Sequence, residues 1–197
     1  YSLIAVLGLI IVIVFVKGFN ALSLDMVIKT PKGGYYYGGE GGVLNAIVGS
    51  IYIAFGATLI AIVLGMPAAL FLNVHLVRHK KTQETIRYLL DVLWGIPSIV
   101  YGAFGFTLML FFGLNASLLA GIITVALLVT PIMVRTFDEV LSTIPRGLHE
   151  ASLALGSTKA ETSYKVMLKQ GFSGFITAAL LAFGRGIGDA ASVLFTA

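Results

Sequence analysis

Apolar runs are what constrain this chain most. They lie at about residues 3–16, 43–72, 86–112, 117–134 and 171–197, and leave only short polar stretches between them. A run of roughly 20 apolar residues crosses a bilayer as a helix, because lipid offers no partner to backbone N–H and C=O groups. Only 11% of the 197 residues are charged, against about 25% in soluble domains. The expected fold is all-α, a polytopic transmembrane bundle forming a single domain over 1–197. Five spans are visible. The first run is short for a span and the last stops within apolar sequence, so a longer parent chain with a sixth span is expected. Pro67 and Pro97 fall inside two of the runs and are expected to kink or break them.

Charge sets the orientation. Arg78, Lys80, Lys81 and Arg87 flank the connection 73–85, and Arg135, Arg146, Lys159, Lys165 and Lys169 belong to the connection 135–170. Only Lys17, Lys29 and Lys32 lie on the opposite side. Short loops rich in Lys and Arg stay in the cytoplasm, so 73–85 and 135–170 are expected inside and 17–42 outside. The net charge of +4 is explained by this asymmetry and requires no nucleic acid. With no cysteine there is no disulfide, thiolate metal site or Cys nucleophile. The run Gly33–Gly42 lacks the Lys-Ser/Thr that a phosphate-cradling loop needs, and reads as a flexible external linker. His75, His79 and His149 read as solvated loop residues without further metal ligands. The sequence offers no catalytic or metal-binding constellation.

Residues 150–170, EASLALGSTKAETSYKVMLKQ, are half polar in an otherwise greasy chain. Pro145 suits the start of a helix, from which Leu148, Ala151, Ser152 and Leu155 fall on one face. Gly156 ends that helix as a residue free to take positive φ at C′. Thr158 and Glu161 then have capping-box spacing, and Glu161 pairs with Lys165 at i, i+4. The pattern is helix, glycine joint, helix. Periodicity alone leaves two readings open: an amphipathic helix resting on lipid, or an element that docks a protein.

Glu150-Ala151-Ser152, Gly156 three residues on, and Val166-x-Leu168 after nine more resemble the EAA loop of ABC importer permeases. The flanks extend the resemblance. Asp91-x-Leu93-x-Gly95-Ile96-Pro97-Ser98-Ile99-Val100-Tyr101-Gly102, Pro131-Ile132-Met133-Val134-Arg135-Thr136, Ile144-Pro145-Arg146 and Gly184-Arg185-Gly186-Ile187-Gly188-Asp189 are similar to the phosphate-import (Pst) permeases, best to the PstA-type subunit. The resemblance covers about residue 20 to the end. It implies a type I ABC importer permease (MetI-like) fold in a prokaryotic cytoplasmic membrane, with a cytoplasmic loop 137–170 carrying the coupling helix. It implies that Glu150, Ala151, Ser152 and Gly156 meet the groove of an ATPase. Three residues depart from the family: Ser152 replaces an Ala, Asp189 a Glu, and Lys169 a Pro, so a gentler bend into the last span is expected.

Arg185 stands about 22 Å into its run at helical rise, where insertion costs roughly 2.5–3.5 kcal/mol. Asp189 follows at i+4 and offsets part of that cost. Two readings stay open, a structural ion pair or an anion path in which Asp189 moderates the field of Arg185. Gly184 and Gly188 add a small-xxx-small packing face toward another helix of this chain or of a second subunit.

The resemblance implies the membrane subunit of an ATP-driven phosphate importer working by alternating access. Its partners would be a cytoplasmic ABC ATPase dimer, a second, PstC-type permease and an external phosphate-binding protein. ATP and Mg would be bound by the ATPase, since no G-x-x-x-x-G-K-[ST] segment occurs here. The same architecture could carry molybdate, tungstate, sulfate or phosphonate. An ion-coupled secondary transporter would need an intramembrane acid, and Asp189 beside an Arg suits that poorly.

Overall fold

The computed structural model describes residues 2–19, 23–32 and 41–197, in two compact units, 1–49 and 50–197. The expected linker Gly33–Gly42 lies outside the described residues except at its last two positions. In the first unit, α1 (Ser2–Phe19) is followed by the short α2 (Leu24–Ile28). Ser23 caps α2 by accepting from the Met26 N–H, and Lys29 pairs with Asp25 at 2.6 Å. The chain returns over α2 through Gly41, at φ +124°, with the Val43 N–H donating to the Met26 carbonyl.

The second unit holds most of α3 (Leu44–Val74), then α4 (Lys80–Gly95), α5 (Ser98–Phe111), α6 (Leu118–Thr143), α7 (Arg146–Ala154), α8 (Lys159–Gln170) and α9 (Phe172–Ile187). Among the described residues two helices, α3 and α6, are long and apolar enough to cross a membrane alone. Two further pairs qualify only as bent spans: α4 with α5, at 94°, and α8 with α9, at 77°.

The prolines behave differently from each other. Pro97 breaks its run. The residue before a proline is driven out of the α region, and Ile96 at ψ 131° and Pro97 at ψ 137° are both extended. Pro67 stays inside α3, which continues unbroken to Val74; losing one N–H is tolerated where the rest of the helix is held. The bend at Gly171 is sharp despite Lys169 standing where the family has proline, because Gly171 (φ −85°, ψ 6°) leaves α8 and starts α9 in a non-helical conformation.

Helix ends also depart from the apolar runs. The 26 residues of α6 reach about 39 Å, beyond the ~30 Å of bilayer hydrocarbon. The charges from Arg135 onward mark a change of solvent and do not end the helix, which runs on to Thr143. Conversely α9 stops at Ile187, and 188–197 forms turns.

Packing centres on α6, which meets α4, α5 and α9. Along α3, Ala54, Ala57, Ala61, Gly65 and Ala69 are all buried. Such a stripe lets backbones approach closely where lipid supplies no hydrophobic drive. A Cβ on Gly65 would meet Met133 Cγ at 3.0 Å. On the other side Phe137 packs edge-on to Phe175, ring centroids 5.4 Å apart, and Val140 fills the space beside Gly174.

One carboxylate ties three helices together. Asp138 on α6 is completely buried. Arg87 of α4 grips it with two bonds of 2.8 Å, from Nε to Oδ2 and from Nη2 to Oδ1. Asn73 of α3 donates to Oδ1 at 2.8 Å and Arg135 to Oδ2 at 3.1 Å. Arg135 also holds Asp91 of α4 at 2.6 Å and Glu139 at 3.5 Å. Removing one partner of a buried pair typically costs 3–5 kcal/mol, because the other charge is left uncompensated. Asp138→Ala should therefore lower the melting temperature of the detergent-solubilised protein by many degrees. The double variant Asp138→Leu/Arg87→Met should lose clearly less, since Arg135 keeps Asp91 and Glu139; differential scanning fluorimetry reads both.

Candidate functional site

The polar stretch forms the joint that its sequence encodes. Pro145 occupies the N-cap of α7. At the other end Leu155 is the C-cap and Gly156 sits at C′ with φ +85°. The Gly156 N–H donates to the Leu153 carbonyl and the Ser157 N–H to that of Ser152, the two reverse bonds of a Schellman end. An L-residue at this φ clashes with its own carbonyl, at a cost of roughly 1–2 kcal/mol. Two residues on, Thr158 opens α8 with a complete capping box: its hydroxyl accepts from the Glu161 N–H, and Glu161 accepts from the Thr158 N–H at 3.0 Å. Lys165 adds an ion pair to Glu161 at 2.9 Å.

These bonds hold the Glu161 carboxyl well below its ordinary range, at about 2; the Thr158 backbone N–H contributes most, then Lys165 and the Thr158 hydroxyl. A depressed carboxyl favours the folded joint above its unfolded pKa, near 4.3. That contribution is complete at neutral pH and is lost as pH falls toward 2.

The helix interior differs from the simple pattern. From Thr162 to Met167, α8 widens into π geometry. The buried Thr162 hydroxyl meets Ser152 of α7 at 3.0 Å. Ser152 was expected on one face with Leu148, Ala151 and Leu155. In the structure it turns inward while those three stay exposed, Leu155 at 87%. Glu150 is exposed as well. The joint therefore offers Leu148, Glu150, Ala151 and Leu155 outward and fixes its angle through Ser152.

At the other candidate site the structure separates the expected pair. Because α9 ends at Ile187, Asp189 is not on a common helical face with Arg185. Its Oδ2 accepts from the Ser192 N–H at 3.2 Å, as an Asp does on opening a turn. Among the described residues no ion pair within 4.0 Å engages Arg185, which is exposed in the last turn of α9. There a cation meets the negative end of the helix dipole. The helix packs through Ala178, Ala182 and Gly186, and a Cβ on Gly186 would touch Val125 at 3.3 Å. A Cβ on Gly184 would meet nothing within 4 Å, and one on Gly188 only the Gly184 carbonyl. Gly184 thus has open space beside it, and Arg185 is exposed next to the packed stripe.

Sequence reasoning read Arg87 as cytoplasmic charge, read Arg135 both as that and as part of a family motif, and passed over Asp138. One signal could have found it: Val134, Phe137, Asp138 and Leu141 fall on one helical face, where an acid calls for partners. The histidines also differ from expectation. His75 is half-buried and stacks on Phe71 at 5.1 Å, and His149 is half-buried; only His79 is exposed. No group of three possible metal ligands occurs among the described residues.

The joint makes a double-mutant test. Ser152→Val should leave the buried Thr162 hydroxyl unpaired, costing about 1–3 kcal/mol, and raise amide exchange across α8 in hydrogen–deuterium exchange. Adding Thr162→Val should restore protection, because no polar group is then stranded.

Comparison with known proteins places this geometry. Residues 61–197 match the model of the family described as "Binding-protein-dependent transport system inner membrane component". The phosphate transport system permease protein PstA of Haemophilus influenzae is 36% identical over 182 residues, covering 92% of this chain and 63% of the relative. PstA of Yersinia pestis is 36% identical over 180 residues, covering 91% and 60%. The probable ABC transporter permease protein YqgI of Bacillus subtilis is 34% identical, covering 93% and 62%. This chain thus spans a little under two thirds of the length of these curated relatives. In three dimensions it superposes on an inward-facing structure of the MetNI methionine ABC transporter with a TM-score of 0.69, at 23% identity, over 74% of this chain and 70% of that one. The fold is that of an ABC importer permease, and the chain belongs to the family of inner-membrane components of binding-protein-dependent transport systems.

Proposed function

We propose that this chain is the core of a permease subunit that imports inorganic phosphate, driven by an ATPase it does not itself contain. The observation that carries this reading is Arg185: an exposed guanidinium in an apolar helix, without an ion-pair partner among the described residues. A cation kept in that setting at several kcal/mol is kept for an anion, and its planar fork suits an oxyanion. The PstA relatives supply the cargo class. Asp189, two residues beyond the helix end, moderates the local field so that the anion can leave.

The rest of the cycle follows from the joint. An external binding protein delivers phosphate, and a cytoplasmic ATPase dimer binds ATP and Mg. Closure of that dimer pushes on α7 through Glu150, Ala151 and the exposed Leu155. The Schellman turn at Gly156 and the Ser152–Thr162 bond keep α7 at a set angle to α8, and the bend at Gly171 passes the displacement to α9 and Arg185. A second, PstC-type permease would cover the face of Gly184 and Gly188, where small residues allow close approach.

Arg185→Gln, and the double variant Arg185→Gln/Asp189→Asn, should both assemble and both fail to take up radiolabelled phosphate. Arg185→Lys should be partly active, as it keeps charge and loses the fork. Near-normal uptake by the double variant would sink the anion-path role, and uptake of molybdate or sulfate in place of phosphate would reassign the cargo. Gly156→Asp should insert in the membrane but abolish uptake and ATPase association. For the orientation, a cysteine placed at Gly38 should react with an impermeant reagent on intact cells while one placed at Ser157 should not; the opposite result overturns the topology.

A further inference from the structure

A polar cavity of about 310 Å³ lies between the ends of α3 and α6, the start of α4 and the coupling helix α7. That volume is at the lower edge of small-molecule pockets. Three cations line it, Lys80, Arg87 and Arg146, together with His149, Glu84 and Glu150. Arg87 is committed to Asp138. Lys80 and Arg146 are in no ion pair within 4.0 Å among the described residues, nor are Glu84 and Glu150. The Nε2 of His149 is shut off from solvent and has no hydrogen-bond partner. Lys80 and Arg146 are the first residues of α4 and α7, and neither helix has a side-chain cap. The positive dipole ends of both helices therefore lie beside the two free cations.

We propose that this cavity is a binding site for a hydrogen-phosphate group on the cytoplasmic side, separate from the import path at Arg185. The cations and helix starts call for an anion. The Glu84 carboxylate narrows the choice: beside an anion it is tolerable only if the ligand brings a proton for it to accept. Hydrogen phosphate has such an O–H, whereas sulfate and phosphodiesters have none at neutral pH. Free inorganic phosphate and the monoester headgroup of phosphatidic acid share this chemistry. Bound phosphate would join α4 to α7, so the site can report the cytoplasmic phosphate level, or the lipid, to the coupling helix.

The test uses the full-length permease assembled with its partner subunits in nanodiscs, without binding protein or ATP. All samples carry Arg185→Gln, so that the proposed import path does not contribute. Radiolabelled inorganic phosphate should bind in phosphatidylcholine discs, and Arg146→Gln and Lys80→Gln should each weaken it at least tenfold, about the loss of one charge-assisted bond. Arg146→Lys should retain most of the binding, which separates loss of the site from loss of the fold. Sulfate should compete at least tenfold less well than phosphate. Unchanged binding in discs containing phosphatidic acid identifies free phosphate as the source. Phosphate binding present in phosphatidylcholine discs and abolished in the discs containing phosphatidic acid identifies the headgroup. Absence of phosphate binding in phosphatidylcholine discs, binding indifferent to both substitutions, or sulfate competing equally, overturns the proposal. None of these readings depends on uptake, so an Arg185→Gln protein that still imports phosphate would refute the import-path role and leave this result standing.

Discussion

A carboxylate withdrawn from water is stable only where several donors converge on it. Asp138 has that position on α6, and much of the second unit follows from satisfying it. Arg87 must come from α4, so α4 is held across the end of α6 and cannot continue in line with α5. The extended pair Ile96–Pro97 makes the turn that this requires. Asn73 must come from the last turns of α3, which keeps that helix intact past Pro67. The cluster also forms the inner boundary of the polar cavity, whose outer wall is α7. One buried charge thus sets the frame on which the joint of α7 and α8 rests.

Above that cluster the chain packs by a different rule. Small residues are buried along α3, where Gly65 meets Met133 of α6 and Ala54 lies beside Gly186 of α9, and Ala178, Ala182 and Gly186 are the buried residues of α9. Close backbone approach brings dispersion and leaves no room for larger side chains. Arg185 is exposed in the last turn of α9, at the edge of that packed face.

What could be read from the sequence was local. Gly156, the Thr158–Glu161 box and the Glu161–Lys165 pair each act within five residues, so residue type and spacing were enough to place them. The apolar runs gave the all-helical class for the same reason. Helix ends were harder, since hydropathy reports the solvent and not the backbone: α6 outlasts its apolar run, and α9 ends inside one. The Asp138 cluster was missed because its partners lie 51 and 65 residues away, and no short-range pattern announces such a meeting. The Arg185–Asp189 pair was drawn from helical spacing, which fails once the helix stops between them. The π turn at Thr162–Met167 left no mark that residue type alone reveals.

The long separation of Arg87 from Asp138 has a consequence for biogenesis. Arg87 leaves the ribosome 51 residues ahead of its counter-ion, roughly 3–10 s at ordinary synthesis rates. During that interval its guanidinium has to stay hydrated, because an unpaired charge in hydrocarbon is costly. The break at Pro97 permits this: α5 can enter the bilayer while α4, with Lys80 and Lys81 at its start, waits among the headgroups. Only when α6 has been threaded does the carboxylate arrive and draw α4 into place. The proline that bends the finished protein also sets the order in which its parts can be assembled.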